Sequence, residues 1–442
     1  MSSERTLARF DELCDIKRGA SPRPIQEWMA PNGIPWVKIS DATAAKSRFI
    51  DSTAEFIRTD GGRYSVAVHP GDFILSNSAT PGLPKIMRID ACIHDGWLLL
   101  RNFRRITKEY CYYLLLNERP KLVAQGNGSV FTNLKTEILK THIVEVPSLS
   151  EQETVAGLLS SLDDRIDLLR QTNATLEAIA QALFKSWFVD FDPVRAKAEG
   201  REPEGMDAAT AALFPSEFED SAFGPIPKGW HIDCLANHVV ADRGLSYKGA
   251  GLCSSGEGVP MHNLNSIIEG GSYKYSGIKH YNGDYKDRHV AVAGDIIVAN
   301  TEQGHEHRLI GFPAIVPSRY ATAIYSHHLY RVRLKPGSPL RTSALYYTLM
   351  TPSVREQIIG CANGSTVNML KAVGLEMPRF VCPPSSVAAG FEANVAPLRR
   401  QIEMNVDRAE KLSTLRDALL PRLISGKLRL PDAARRFAEV SA

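Results

Sequence analysis

The sequence predicts an α/β protein made of two copies of one unit, each a globular domain followed by a long helix. A heptad pattern of apolar residues occurs twice, and the copies align without a gap when residue 155 is matched with residue 391. The segments that precede the two patterns also resemble each other. Two equivalent helices in one chain predict internal pseudo-twofold symmetry. The helices are expected to pair as an antiparallel coiled coil that separates the two duplicated globular domains.

Apolar residues at alternating spacings of four and three define the seam of each predicted helix. A single stripe of this kind is also typical of an amphipathic core helix, but a second copy in register favours a paired seam. Asn173 and Asn405 lie on the seam, where a buried amide costs stability and fixes the register. The predicted seam residues are Val155, Leu159, Leu162, Ile166, Leu169, Asn173, Leu176, Leu183, Val395, Leu398, Ile402, Asn405, Leu412 and Leu419.

Helix-ending residues and loop composition divide the chain into segments. Ser150 and Glu153 form an S-x-x-E pattern that predicts the start of the first helix, and Pro193 predicts its end. Gly426 is placed to end the second helix. The linker is rich in Glu, Ala, Gly and Pro and has no period, so we expect it to leave the second half free in its placement. The predicted segments are a first globular domain (1–148), a first long helix (149–190), the linker (191–225), a second globular domain (226–384), a second long helix (385–425) and a C-terminal tail (426–442).

Short motifs repeat between the two globular domains. The β-rich motifs stand between Gly, Pro and Asp turns, so each domain is expected to mix strands with helices. The matched motifs are GIPWVKI (33–39) with GVPMHNL (258–264), GDFILSN (71–77) with GDIIVAN (294–300), and GNGSVFTNL (126–134) with ANGSTVNML (362–370).

Composition indicates an ordinary globular protein, with 44% hydrophobic and 23% charged residues. The sequence contains no apolar run of membrane-spanning length, and the start MSSERTLARF is charged, so we expect a cytoplasmic protein without a membrane partner. The seven cysteines are scattered without a C-x-x-C pair, which favours reduced thiols over a zinc site or disulfides.

Charge is unevenly distributed along the chain. Lys and Arg exceed Asp and Glu by four in residues 1–148, by five in 226–384 and by three in 385–442, whereas residues 149–225 carry nine excess acidic residues. Positive globular domains would suit a bound polyanion. Ordinary scatter of surface charge is the alternative explanation.

The motifs around the first helix resemble those of type I restriction-modification specificity subunits, the HsdS family. VPSLSEQETVAGLLSSLDDRIDLL is similar to the start of the conserved helices of that family, and GNGSVFTNLKTEILKTHIVEVP resembles the segment that closes each of its target-recognition domains. FKSWFVDFDPV and FGPIPKGW resemble the junction between its halves. The resemblance covers essentially the whole chain. One departure is that the second copy, PPSSVAAGF, lacks the Glu151–Gln152 pair, so these two are candidate partner-binding residues and the two helix ends are expected to bind partners unequally.

The resemblance implies a DNA-binding subunit without catalytic activity of its own. Each target-recognition domain would read one half of a bipartite site in double-stranded DNA, and the helices would set the spacing between the halves. The implied partners are two adenine methyltransferase subunits and a restriction and translocase subunit. S-adenosylmethionine, ATP and Mg²⁺ would belong to those partners, and no cofactor is expected in this chain.

Sequence motifs give no support for catalysis by the chain itself. It lacks an N/D-P-P-Y/F/W methyltransferase motif and a G-x-x-x-x-G-K-S/T phosphate loop. His305 and His307, with His327 and His328, have a spacing that a metal site could use. The histidine-containing loop after GDIIVAN fits contact with DNA better, so no metal site is predicted.

Candidate DNA contacts are loop residues whose side chains or backbone amides suit phosphate or base edges. The Asn-Gly-Ser loops are included because glycine lets backbone amides approach a phosphate, although a tight turn before a helix is an equal explanation. For each basic residue, an ordinary solvated side chain is the alternative. The candidates are Lys17, Arg18, Arg23, Lys38, Arg63, Lys85, Asn127, Gly128, Ser129, Arg243, Lys248, Lys274, Lys279, Arg288, His307, Arg308, Asn363, Gly364 and Ser365.

Two other functions remain open on the sequence alone. A specificity chain of another DNA modification or defence system would bind DNA but assemble with different enzymes. A helical scaffold protein would join partners without salt-dependent DNA binding.

Overall fold

The computed structural model describes residues 5–125, 133–304, 306–364 and 367–428, and it divides into two compact units. The first unit comprises Met1–Gln171 with Asn405–Ala442, and the second comprises Thr172–Met404. Each unit therefore contains one globular domain and part of each long helix. Within the described ranges, every helix is too short or too polar to cross a membrane.

The first unit mixes short strands with helices. Its strands are β1 (Thr6–Arg9), β2 (Asp15–Arg18), β3 (Met29–Ala30), β4 (Ile34–Val37), β5 (Phe49–Ile50), β6 (Glu55–Ile57), β7 (Val66–Val68), β8 (Phe73–Ser76), β9 (Pro84–Met87), β10 (Ala91–Ile93), β11 (Trp97–Arg101) and β12 (Ile143–Val146). Its helices are α1 (Phe10–Leu13), α2 (Ile39–Ala44), α3 (Lys108–Gln125), α4 (Thr136–Thr141) and the first part of α5 (Leu149–Phe188), with 3-10 turns at Ile25–Glu27 and Thr59–Tyr64.

The second unit also combines short strands with helices. Its strands are β13 (Phe218–Glu219), β14 (Ile226–Pro227), β15 (His231–Cys234), β16 (Val239–Arg243), β17 (Leu252–Cys253), β18 (Val259–His262), β19 (Lys279–Tyr281), β20 (Val290–Val292), β21 (Ile296–Ala299), β22 (Thr301–Gln303), β23 (Pro313–Ile315), β24 (Thr322–Tyr325), β25 (Leu329–Leu334), β26 (Val367–Met369) and β27 (Arg379–Cys382). Its helices are α6 (Asp192–Ala198), α7 (Ala208–Ala211), α8 (Thr342–Met350), α9 (Pro352–Gly360), α10 (Val373–Glu376) and the first part of α11 (Ser385–Ile424). Its 3-10 turns are Leu235–Asn237, Gly249–Gly251, Leu264–Ser266, Tyr275–Gly277 and Asp287–His289.

The sheets of the two domains have the same strand order, except that one sheet has five strands in the first domain and four in the described part of the second. One sheet runs β3-β6-β4-β10-β7 in the first domain and β17-β19-β18-β24-β20 in the second. The other runs β2-β11-β8-β9-β5 and β16-β25-β21-β23. In both domains an antiparallel pair, β1 with β12 or β15 with β27, leads into a long helix. The sequence repeat is therefore a duplication of topology.

The two long helices pack together in each unit. In the second unit, Asn173 Nδ2 donates to Ile402 O (3.2 Å), and the rings of Phe184 and Phe391 are 5.8 Å apart. Residue numbers rise along α5 as they fall along α11, so the pair is antiparallel. In the first unit, Leu159 and Leu162 of α5 share a buried cluster with Leu412, Leu419 and Leu423 of α11.

A tyrosine of each globular domain donates to an acidic residue of α5. Tyr113 Oη donates to Asp163 Oδ2 (2.7 Å) in the first unit, and Tyr347 Oη donates to Glu177 Oε1 (3.1 Å) in the second. Burial raises the pKa of both phenols, which therefore remain protonated donors. These bonds attach each domain to the same helix.

The predicted seam positions are unevenly buried. The seam residues Val155 to Leu169 are all buried, whereas Asn173, Leu176 and Leu183 are only partly enclosed. Ala180, Phe184 and Trp187 are buried in the last turns of α5. In α11, the buried predicted positions are Val395, Asn405, Leu412 and Leu419, and the half-buried ones are Leu398 and Ile402.

The helix ends differ in part from the prediction. Helix α5 begins at Leu149, and Ser148 Oγ, not the hydroxyl of Ser150, accepts the backbone N–H of Glu151 (3.4 Å). Phe191 has a left-handed backbone (φ 55°), which ends the first helix and lets Pro193 occupy the first turn of α6. Gly426 has a φ of 68°, the conformation expected of a residue that follows a helix.

The predicted linker is more ordered than its composition indicates. Val194 and Phe214 are buried in the core of the second unit. Lys197 Nζ donates to the carbonyls of Ala211 and Phe214, which brings α6 and α7 together. A few well-spaced apolar residues are enough to pack this segment, so it is not free in its placement.

We predict that Arg416→Ala lowers the free energy of unfolding by about 2 kcal/mol, because it leaves a buried carboxylate without its cation. Arg416 Nη1 donates to Asp163 Oδ1 (2.6 Å), and Asp163 is 8% exposed. The estimate is below the value for fully enclosed pairs because the Arg416 side chain is 26% exposed. Urea denaturation measures the change. Adding Asp163→Asn should restore part of the loss, and the exposed Arg408→Ala on the same helix is the control; equal effects of the two arginine variants would contradict the prediction.

Candidate nucleic-acid interface

Three segments of the first domain converge at the turn between β10 and β11, formed by His94, Asp95 and Gly96. Arg18, at the end of β2, donates from Nε to the Asp95 carbonyl (2.9 Å). Asn77, just after β8, donates from Nδ2 to the same carbonyl (3.1 Å). The Asn77 backbone N–H donates to Gly96 O (2.8 Å). We call His94–Gly96 with Arg18 and Asn77 the first corner.

The second domain has the same arrangement at the turn between β24 and β25. Arg243 Nε and Asn300 Nδ2 both donate to the His327 carbonyl, at 3.2 and 3.0 Å. The Asn300 backbone N–H donates to His328 O (3.0 Å). Ser326–His328 with Arg243 and Asn300 is the second corner. An arginine and an asparagine therefore hold equivalent carbonyls in both copies.

A glycine follows each arginine for a steric reason. A Cβ on Gly19 would lie 2.1 Å from the His94 carbonyl oxygen, and one on Gly244 would lie 2.2 Å from the Ser326 carbonyl oxygen. Any other residue would push the strand end away from the turn. The repeated Arg-Gly pair thus places each arginine against its corner.

The first corner contains both acidic and basic side chains. Asp95 Oδ1 accepts from Ser21 Oγ (2.7 Å), and Oδ2 is 3.2 Å from Arg23 Nη2. Although burial opposes it, the Ser21 hydrogen bond and the Arg23 charge hold the pKa of Asp95 below its usual range, so the carboxylate is ionised. His94 Nδ1 accepts the Gly96 N–H (2.9 Å), and burial lowers the pKa of His94. His94 is therefore a neutral imidazole with its proton on Nε2.

Two cavities open beside the first corner. One, of about 470 Å³, is lined by Arg18, Asn77, His94 and Asp95 together with Lys135. The other, of about 370 Å³, is lined by Arg23, Lys38, Trp36, His94 and Asp95. Basic side chains and hydrogen-bonding groups of both signs thus meet at one place.

The second corner is more basic. His328 Nδ1 lies 2.9 Å from Thr301 Oγ1, and burial, helped by the charges of His327, Arg243 and Lys279, lowers the pKa of His328. The enclosed atoms Asn300 Oδ1, Ser326 Oγ and His327 Nδ1 have no hydrogen-bond partner among the described residues. Unpaired buried polar atoms are rare in folded proteins, and three at one turn indicate a site suited to a polar ligand.

The structure brings some predicted DNA-binding residues together and separates others. Arg18, Arg23 and Lys38 surround the first corner, while Arg243 and Lys279 lie at the second. Lys17 is exposed on β2, Arg63 stacks over Tyr64, and Lys248 is exposed near its 3-10 turn. Lys274 Nζ donates to Asn265 Oδ1 (2.6 Å), and Arg288 Nε donates to His289 Nε2 (3.2 Å).

Lys85 does not suit the predicted DNA contact. Its side chain is 4% exposed, and Nζ donates to the carbonyls of Ala45 and Ser47. Burial lowers the pKa of Lys85 to about 8. The ammonium is used to hold the 45–47 loop and is not available to a phosphate.

The loop that contains His307 and Arg308 is held by Glu302. Its carboxylate accepts the backbone N–H groups of Arg308, Leu309 and Ile310 at 2.9, 3.1 and 2.9 Å. Arg308 itself pairs with Glu306 (2.7 Å). His305 lies outside the described residues, and within the described part of the chain His, Cys, Asp and Glu side chains form no group of three or more that could hold a metal ion.

The Asn-Gly-Ser loops are only partly described. Asn127, Gly128, Ser129 and Ser365 lie outside the described residues. Asn363 and Gly364 are exposed, and the Asn363 backbone exchanges hydrogen bonds with Met369.

The Glu151–Gln152 pair joins helix α5 to the first domain, and Gln152 is enclosed there. Gln152 is 0% exposed; its Oε1 accepts the Thr107 N–H (2.8 Å), and its Nε2 donates to the carbonyls of Arg105 and Pro147. Glu151 Oε1 accepts from Arg5 (2.6 Å), whose other terminal nitrogen donates to Ile424 O. The partner-binding assignment of Gln152 is therefore wrong, because all its polar atoms are satisfied inside the unit.

We predict that Gln152→Ala lowers the free energy of unfolding by about 2 kcal/mol or more, since it leaves the Thr107 N–H and two carbonyls buried without partners. Urea denaturation measures the change. Arg165→Ala, at an exposed position of the same helix, is the matched control. A loss for Gln152→Ala no larger than that of the control would show that the side chain is not held as described.

Sequence reasoning missed Asn77, His94, Asp95 and Asn300. The asparagines end the repeated motifs GDFILSN and GDIIVAN, and the arginines precede glycine in both copies. The repetition of these residues in both copies was the sequence pattern that could have identified them. The turns that they meet, His94–Gly96 and Ser326–His328, share no sequence pattern.

Comparisons with known proteins agree with this architecture. A family model described as the type I restriction modification DNA specificity domain matches residues 4–178. The MjaIX specificity subunit of Methanocaldococcus jannaschii is 25% identical over 436 residues, covering 96% of this chain and 94% of its own. The HindI specificity subunit of Haemophilus influenzae is 24% identical over 473 residues, covering 94% and 98%. The crystal structure of a type I restriction-modification S subunit from M. genitalium shares the fold, with a TM-score of 0.56, 13% identity and 96% coverage of both chains.

The duplicated domains and the paired long helices agree with these comparisons: residues 4–178 match the type I restriction modification DNA specificity domain, and nearly the whole chain is similar to type I restriction enzyme specificity subunits, the HsdS family.

Proposed function

We propose that this chain selects the DNA sequence for a type I restriction-modification complex, with each globular domain reading one half of a bipartite site in double-stranded DNA. The observation that carries the proposal is the presence of the same arginine-bearing corner in two domains of the same topology. Exposed arginine side chains held at a turn suit base edges and phosphates, and at the first corner the arginine lies next to an open recess. Different side chains around the two corners would give the halves different sequences.

The long helices are the proposed spacing element and docking surface. A helix of 40 residues is about 60 Å long, which is of the order of the distance between two half-sites on one face of a duplex. Leu168 in the first unit and Ile179 and Met404 in the second keep large apolar side chains exposed on these helices. The docking of two adenine methyltransferase subunits on these helices is what the resemblance to specificity subunits implies.

The chemistry belongs to partner subunits in this proposal. S-adenosylmethionine would be bound by the methyltransferase subunits, and ATP and Mg²⁺ by a restriction and translocase subunit. This chain would supply DNA recognition and orientation and take part in no bond-making step.

We predict that co-expression with its adenine methyltransferase subunit produces methylated adenines in a split sequence motif with a fixed unread gap. Genome-wide mapping of methylated adenines in the host measures this. A host that carries the methyltransferase subunit alone is the control. Stable co-purification without any methylation motif would contradict DNA selection and favour a scaffold, whereas salt-dependent DNA binding without methyltransferase assembly would favour a specificity chain of another system.

We further predict that inserting seven residues after Asn173 and seven after Ile402 lengthens the unread gap by about three base pairs. One heptad adds about 10.5 Å to a helix, and each base pair adds about 3.4 Å to a duplex. These two residues are in contact, so the insertions are matched on the paired helices. A seven-residue insertion between Glu204 and Gly205, outside the long helices, is the control. Both half-sequences should stay the same, and an unchanged gap would contradict the spacing role.

A further inference from the structure

Among the predicted DNA contacts that the structure describes, Arg18 and Arg243 occupy the most closely equivalent positions in the two domains. Arg18 ends β2 and faces Leu98 of β11, and Arg243 ends β16 and faces Tyr330 of β25. In each domain the next residue is a glycine that cannot carry a side chain without striking the corner backbone. Duplication has thus preserved both the arginine and the steric condition that places it.

Each guanidinium is fixed through Nε, and its terminal nitrogens donate no hydrogen bond among the described residues, although Arg18 Nη2 lies 3.9 Å from Asp95 Oδ2. Its Nε is bound to a corner carbonyl, and that carbonyl is itself held by a buried asparagine. Asn77 and Asn300 are held in turn by their backbone bonds to Gly96 and His328. This arrangement leaves the terminal nitrogens of an exposed side chain, 61% exposed for Arg18, in a set direction. A side chain held in advance in this way loses little conformational freedom on binding.

The surroundings of Arg18 favour a neutral ligand over a phosphate. The nearest approach of the ionised Asp95 carboxylate to Arg18 Nη2 is 3.9 Å. A phosphate at that place would meet the carboxylate charge, whereas a base edge with acceptor atoms would not. Guanine offers two adjacent acceptors, O6 and N7, in the major groove, and paired arginine nitrogens are their commonest protein contact.

We propose that Arg18 and Arg243 each read one guanine in the major groove of their own half-site, through the two terminal nitrogens of the guanidinium. This inference rests on the proposed function, and it adds which base is recognised in each half-site and which residue recognises it. The neighbours differ, Asp95 with Arg23 in one corner and His327 with Lys279 in the other. The two domains can therefore share one guanine contact and still recognise different sequences.

The test uses the chain assembled with its methyltransferase subunits, after the methylated motif has been mapped. Duplexes carry 7-deazaguanine, which lacks the N7 acceptor but still pairs with cytosine, at each guanine of one half-site in turn. One position in each half-site should weaken binding by the wild-type complex by about tenfold or more. At the first half-site, Arg18→Ala should abolish that sensitivity and leave the second half-site unchanged, and Arg243→Ala should do the reverse. Lys46→Ala and Lys371→Ala, which remove exposed charges at positions that are not among the predicted DNA contacts, are the matched controls and should leave the sensitivity intact.

The competing outcomes are distinct. If Arg18→Ala weakens binding to all duplexes alike and keeps the 7-deazaguanine effect, the side chain contacts phosphate and the inference is overturned. A half-site without guanine overturns it for that domain. If the complex shows no split recognition sequence at all, the proposed function fails and the inference fails with it. Equal melting temperatures of the variants and wild type show that a loss of binding does not come from unfolding.

Discussion

Both units depend on the apolar contact between the two long helices. Each globular domain is small and has short strands, and the largest of its buried clusters includes side chains of the long helices. In the first unit the cluster joins Leu159 and Leu162 to Leu419, and in the second it joins Phe184 and Trp187 to Phe391. Because each helix continues from one unit to the other, removing either helix would take away part of both cores. The helix pair is therefore part of the folding of the domains as well as the connection between them.

The two units join a long helix to its domain at equivalent positions, but with different kinds of side chain. Where the first unit has Arg5 and Glu151 in an ion pair, the positions equivalent by strand and helix register are Trp230 and Val387, which are both buried in an apolar cluster. Gln152 is likewise replaced by the buried Ala388. Polar groups in one unit satisfy each other by hydrogen bonds, and apolar groups in the other exclude water. Either solution holds the start of a long helix against its domain, which explains how the Glu-Gln pair can be absent from the second copy.

The sequence was most informative where structure is local or repeated. Heptad spacing predicted both helices, and motif matching predicted the duplicated domains, because both patterns are read along the chain. The corners could not be predicted in the same way. Arg18, Asn77 and Asp95 are far apart in sequence and meet only through sheet register. The burial of individual side chains could not be predicted from the sequence either. The sequence around Lys85 does not distinguish it from an exposed lysine, because its burial depends on how the 45–47 loop folds over it.

The different joints in the two units have an evolutionary consequence. A domain that evolved beside Glu151 presents an arginine to the helix, and one that evolved beside Val387 presents a tryptophan. Exchange of genetic material between homologous chains would keep these pairs matched when first domains replace first domains. Transfer of a first domain to the second location would place Arg5 against an apolar pocket. The two joints are therefore not interchangeable, and each location suits a domain that carries the matching side chain.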